Sequence, residues 1–109
     1  MNDDGIPVVS LSGELDIMQS SSLMQRLMGA AGNRDLGLVV DLSEVSYIDS
    51  AGVNVLFEVA EALRQRQLAF AVVVPEGNLV DRVVTLVDLG SVARVHRSVE
   101  AAVTDVRPR

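Results

Sequence analysis

Apolar residues recur along this chain in two alternating rhythms, and the alternation predicts its elements. Val8, Val9 and Leu11 form a short strand-like run that closes at Gly13-Glu14-Leu15-Asp16. From about Ser20 the spacing lengthens, with Leu23, Met24, Leu27 and Met28 one helical turn apart until Gly29 to Gly32 break the pattern. Leu38 to Leu42 read as a second buried strand, and the polar stretch through Tyr47 reads as a loop. A long amphipathic helix then runs from Ala51 to about Gln67. Val53, Leu56, Phe57, Ala60 and Leu63 turn to the core, and Glu58, Glu61, Arg64, Gln65 and Arg66 to water. Ala69 to Val74 are the third strand, stopped by Pro75-Glu76-Gly77. Asn78 is placed to cap a third helix that buries Leu79, Val80, Val83 and Val87. Gly90 is expected to supply the left-handed residue that ends it. Val92 to His96 make a last short strand, Ser98 caps a final helix through about Asp105, and Val106-Arg107-Pro108-Arg109 is expected to fray.

Four strands alternating with four helices is an α/β order. Strands separated by helices must be joined by crossovers, so the prediction is a mixed, mostly parallel sheet of about four strands covered by helices. The 109 residues suffice for one core and not for two, so residues 1–109 are read as a single domain. With 49% hydrophobic and 22% charged residues the balance is globular. Val, Leu and Ala dominate, so the core is aliphatic.

Charge and missing residue types narrow the chemistry. A net charge of −6 speaks against nucleic acid as a partner and favours another protein. There is no cysteine, which removes disulfides, zinc-thiolate sites and thiol nucleophiles. All nine basic residues are arginine, which removes every lysine-dependent chemistry and weakens a phospho-aspartate receiver reading, because receivers need a lysine from a late strand. The start Met1-Asn2-Asp3-Asp4 lacks the basic residues and apolar run of a signal peptide. The apolar runs, such as Leu68 to Val74, fall far short of the roughly 20 residues of a membrane span. A cytoplasmic protein without a membrane segment is expected. His96 is the only histidine and its place beside Arg97 suits a surface position. Ile48 stands where a nucleophile elbow would carry its first glycine, so hydrolase chemistry is not expected. The carboxylates have no histidine at ligand spacing, and neither a metal nor a cofactor is expected. Gly29-Ala30-Ala31-Gly32 is a helix stop and not a phosphate loop. Met18, Met24 and Met28 read as core filler.

In open α/β sheets function collects at the carboxyl ends of strands. Asp16, Asp41, the Asp49-Ser50 pair and Pro75-Glu76-Gly77 are assigned to that edge. Ser50 is the sharpest of these. It lies where a polar loop meets the best helix of the chain, and it is read as that helix's N-cap, beside backbone N–H groups without intrahelical partners and at the positive end of the dipole. Gly52 is read as stripping the side chain from the surface beside the hydroxyl. Val53 leaves the serine without a capping-box glutamate.

Three stretches carry a family resemblance: Leu11-Ser12-Gly13-Glu14-Leu15-Asp16, then Val40-Asp41-Leu42 with Tyr47-Ile48-Asp49-Ser50-Ala51-Gly52, then Asp88-Leu89-Gly90 before a short strand. From about Val8 to Val103 the chain resembles the STAS-domain anti-sigma factor antagonists. The resemblance implies that Ser50 is the phosphorylation site, with Asp16, Asp49, Ala51 and Gly52 on the same partner-binding surface. It also implies a partner switch. The unphosphorylated protein binds an anti-sigma factor serine kinase and frees the sigma factor, phosphorylation inactivates it, and a PP2C-type phosphatase restores it. The nucleotide belongs to the kinase, so this chain is a substrate and not an enzyme. The other reading is a STAS scaffold subunit of a larger signalling assembly without phosphoswitching. Family members usually begin with an extra strand hairpinned to the Val8 strand. With only Met1 to Pro7 ahead of it, that strand is expected to be absent or very short, leaving a sheet edge exposed for pairing with a second copy.

Overall fold

The computed structural model of the protein describes residues 2–3, 5–32 and 34–107. Its elements are β1 (Asn2–Asp3), β2 (Ile6–Leu15), α1 (Ser20–Ala30), β3 (Gly37–Ile48), α2 (Ser50–Gln65), β4 (Ala69–Val73), α3 (Leu79–Leu86), a 3₁₀ turn (Leu89–Ser91), β5 (Arg94–His96) and α4 (Val99–Val106). The strands lie side by side in chain order, β1-β2-β3-β4-β5. The pairs from β2 to β5 are parallel and β1 is antiparallel to β2, matching Asn2 to Pro7 and Asp3 to Ile6. The expected mostly parallel sheet is present, and the extra first strand is there in a form two residues long. From Val9 onward the outer edge of β2 has no strand partner among the described residues.

Sequential parallel neighbours joined by crossovers of one hand place the connecting helices on one face. α1, α2 and α3 accordingly pack over Leu38, Val40 and Leu42 of β3 and Phe70, Val72 and Val74 in and just after β4. The alternate residues of the same strands point the other way. Val39, Ala71 and Val73, with Ile6 and Val8, meet Ala102, Val103 and Val106 of α4, which covers the opposite face. Val106 is thus a buried end to α4 rather than part of a frayed tail; Pro108 and Arg109 lie outside the described residues.

Several local expectations are corrected. The stretch from Ser43 to Tyr47 is not a loop, because β3 continues to Ile48. Opposite β2 it carries two register shifts, between Ser10 and Ser12 and between Gly13 and Glu14. Those irregularities re-aim the strand so that Leu42, Val45 and Ile48, three residues apart, all reach the core. Gly13 takes φ +79 at the second shift, a backbone state that a side chain would disfavour. In α2, Val55 and Val59 are buried while Val53 and Phe57 pack at the margin. In α3, Val80 and Val84 are buried, whereas Leu79 is 48% exposed and Val87, just past the helix end, 38%. Asn78 and Ser98 do cap their helices, accepting from the N–H groups of Asp81 and Ala101. The left-handed residue after α3 is Asp88 (φ +56), not Gly90.

Candidate functional site

Leu15 and Ile48 are register partners at the carboxyl ends of β2 and β3, so the loops that follow them leave the sheet side by side. Asp49 ties the two together. Its N–H donates to the Leu15 carbonyl at 3.1 Å, and its carboxylate divides its oxygens between two elements. Oδ1 accepts from the N–H groups of Ala51 at 2.9 Å and Gly52 at 3.1 Å, while Oδ2 accepts from the N–H of Ile17 at 3.3 Å. Asp49, in extended backbone geometry at φ −106 and ψ −175, is therefore the N-cap of α2. This corrects the assignment of the cap to Ser50. Aspartate and serine cap equally well, and here the carboxylate, which can serve two elements at once, takes the position.

Ser50 becomes the first residue inside α2. It is exposed, and its hydroxyl has no hydrogen-bond partner among the described residues. It stays at the positive end of the helix dipole, but two of the N–H groups expected to be open beside it are already taken by Asp49. Gly52 is buried, which corrects its reading as a surface clearing. A Cβ at this position would collide with the Leu15 carbonyl oxygen and press on Ile48 Cγ1 at 3.0 Å. The glycine lets the first turn of α2 sit directly on the end of β2 and so sets where Ser50 stands.

Asp16 shapes the neighbouring loop. Its Oδ1 accepts from the Met18 N–H at 3.1 Å, and its carbonyl accepts from the Gln19 N–H at 3.0 Å. Ser20 Oγ donates to the Ile17 carbonyl at 3.2 Å. This turn holds Ile17 and Met18 outward, 72% and 86% exposed. Met18 is therefore not core filler. It lies ahead of the first turn of α1, where the helical stripe that buries Leu23 and Leu27 has not begun. No period or motif in the sequence marks Ile17, whose exposure depends on the turn that Asp16 closes.

The structure thus gathers Asp16, Asp49, Ser50, Ala51 and Gly52 at one edge, with Ile17 and Met18 beside them. Asp41 does not join them. It lies within β3, opposite Ser10 and Val73, and its Oδ1 accepts from the N–H of Ser43 at 3.0 Å. The loop after β4 is held by a separate set of contacts. Asp81 accepts from the Gly77 N–H at 2.9 Å and pairs with Arg97 at 2.7 Å, and Arg97 also donates to the Val74 carbonyl at 3.2 Å. The Gly77 amide, and after it Arg97, hold the Asp81 carboxyl below the ordinary carboxylate range, and the hydrogen bond that Arg97 donates to Asp81 raises the Arg97 guanidinium.

His96 lies elsewhere, on β5, with Nε2 2.8 Å from Asp105 of α4. A hollow of about 770 Å³ adjoins this pair. Ser98, which also lines it, uses its hydroxyl to cap α4. No group of three or more histidines or carboxylates among the described residues could hold a metal ion. Among the described residues no helix is long and apolar enough to cross a membrane.

A parallel sheet with three helices on one face and α4 on the other, bearing a serine on the first turn after the second long strand, defines a class. The chain belongs to the STAS domain family, whose model matches residues 2–102. It is 29% identical over 104 residues to the anti-sigma-F factor antagonist RsfB of Mycobacterium tuberculosis, covering 95% of this chain and 84% of that protein. The crystal structure of an anti-sigma factor antagonist from Mycobacterium paratuberculosis superposes with a TM-score of 0.88 at 30% identity, covering 99% of this chain and 91% of that one. The phosphorylated form of the Bacillus cell fate determinant SpoIIAA superposes with a TM-score of 0.66 at 20% identity, covering 98% and 96%, a likeness of fold.

Proposed function

We propose that this chain is an anti-sigma factor antagonist that acts as a phosphorylation-controlled partner switch in the cytoplasm. In its unphosphorylated form it binds an anti-sigma factor serine kinase and so frees the sigma factor. The kinase phosphorylates Ser50 and ends the complex, and a PP2C-type phosphatase resets it. The chain is the substrate in this cycle and contributes no catalysis.

The observation that carries the reading is the setting of Ser50. Its hydroxyl is exposed on the first turn of α2 with no hydrogen-bond partner among the described residues, and the adjacent residues are fixed by Asp49 and by the close seat of Gly52. A kinase can reach it without unfolding anything. A phosphate there adds about 1.5 to 2 negative charges beside Asp49, and the repulsion falls on whatever docks. The relatedness to RsfB and to the Mycobacterium paratuberculosis antagonist supports the same reading.

Incubation with the kinase and ATP, followed by intact mass, tests the chemistry. One added phosphate is expected on the wild type and none on Ser50→Ala. By calorimetry Ser50→Ala retains kinase binding and Ser50→Asp weakens it. Equal affinity of the two variants removes Ser50 from the interface, and binding without any phosphate transfer favours a STAS scaffold subunit instead.

A further inference from the structure

Ile17 and Met18 are two adjacent large apolar side chains held in water by the turn that Asp16 closes, 72% and 86% exposed. A core function is excluded by that exposure, and neither side chain is needed to end β2 or start α1, whose buried residues are Leu15 and Leu23, Leu27. The turn is not loosely attached. The Ile17 N–H is bound by Asp49 Oδ2, the oxygen that the helix cap leaves over. The apolar pair is thus one hydrogen bond away from the residue preceding Ser50.

We propose that Ile17 and Met18 are the apolar anchor by which this chain docks on its serine kinase, and that Asp49 is a positioning residue that latches the anchor beside Ser50. The inference rests on the partner-switch reading and deepens it. The occupant that fits is an apolar pocket on the kinase bordered by basic side chains. Asp16 and Asp49 hold the backbone of the pair through their carboxylates, and the chain as a whole carries a net charge of −6. Apolar anchors ringed by complementary charge are where binding energy concentrates in protein interfaces. The arrangement also explains why a single phosphate suffices as a switch. Seating the anchor brings Ser50 against the partner, so a phosphate on that serine would have to be desolvated alongside Asp49 before the apolar contact could form.

The test titrates the purified anti-sigma factor serine kinase of the source organism with the full chain, with amide exchange of the free chain alongside. Ile17→Ser with Met18→Ser should raise Kd by about tenfold or more, the magnitude for truncating a central apolar contact, with an unchanged melting temperature. Leu86→Ser, which removes an apolar side chain 84% exposed at the far end of α3, should leave Kd unchanged. Asp49→Asn separates latch from cap. The amide oxygen still caps α2, but its NH₂ cannot accept from Ile17, so exchange at the Ile17 N–H should quicken and affinity should fall while the melting temperature holds. Wild-type affinity in the Ile17→Ser, Met18→Ser variant, or an equal loss with Leu86→Ser, overturns the anchor. Unaltered Ile17 exchange in Asp49→Asn overturns the latch. A wild-type chain that does not bind the kinase at all overturns the partner-switch reading itself and the anchor with it.

Discussion

Asp49→Ala and Ser50→Ala separate the capping aspartate from the serine proposed as the phosphorylation site. Removing the Asp49 carboxylate uncaps Ala51 and Gly52 and frees Ile17, so urea unfolding should show a loss of about 0.5–2 kcal/mol, the usual cost of a lost cap. Ser50→Ala removes a hydroxyl without a hydrogen-bond partner among the described residues and should stay within about 0.5 kcal/mol of the wild type. The opposite ranking would return the cap to the serine. The sequence makes Ser50 stand out because a hydroxyl opens an amphipathic helix, and it brings Asp16 and Asp49 to the same edge by strand order alone. It does not say which of two adjacent capping residues caps. That choice is decided by Ile17, 32 positions away in the chain, whose N–H needs an acceptor that only a carboxylate with a spare oxygen provides. The role of Gly52 is hidden for the same reason, since the backbone it must clear belongs to Leu15 on another strand.

The elements were legible where one period holds over many residues, as in α1, α2 and β4, and where a cap residue announces a helix, as at Asn78 and Ser98. β3 defeated the pattern because its second half follows neither period. Two register shifts against β2 convert an alternating strand into one that buries every third residue, and such shifts depend on the neighbouring strand. The same dependence on neighbours appears at the start of α3, where Asp81 joins the helix to the Gly77 loop and, through Arg97, to the segment after β5. Its carboxyl is depressed in the folded chain, first by the Gly77 amide and then by Arg97. Its contribution is therefore fully present above the unfolded aspartate value of about 3.9 and is lost as pH falls through the lower folded value. Urea midpoints measured at descending pH should fall less steeply in Asp81→Asn than in the wild type below about pH 4. Parallel curves would show that these hydrogen bonds carry no pH-dependent stability.

Taken as one body, the molecule separates what must be rigid from what must be seen. Both faces of the sheet are buried, with Val39, Val40, Ala71 and Val72 fully so, and the proposed switch surface hangs on the carboxyl edge outside that core. The proposed phosphorylation at Ser50 would add charge at the end of α2 where the dipole favours it by about 0.3–1 kcal/mol, against repulsion from Asp49 across water. Neither acts on the sheet, so the change should be one of local charge and shape and not of fold. A difference below 1 kcal/mol corresponds to a melting temperature shift under about 4–8 °C for a domain of this size. The phosphorylated and unmodified chains are therefore expected to melt within that range of each other, with altered amide exchange confined to the Asp16–Gln19 turn and the first turn of α2. The strand Ala69–Val73 lies between both helical layers and reports on the whole core. If it lost protection on phosphorylation, or if melting fell well beyond that range, the switch would work by loosening the domain, and the static docking surface argued from Asp49, Ile17 and Met18 would be the wrong description of it.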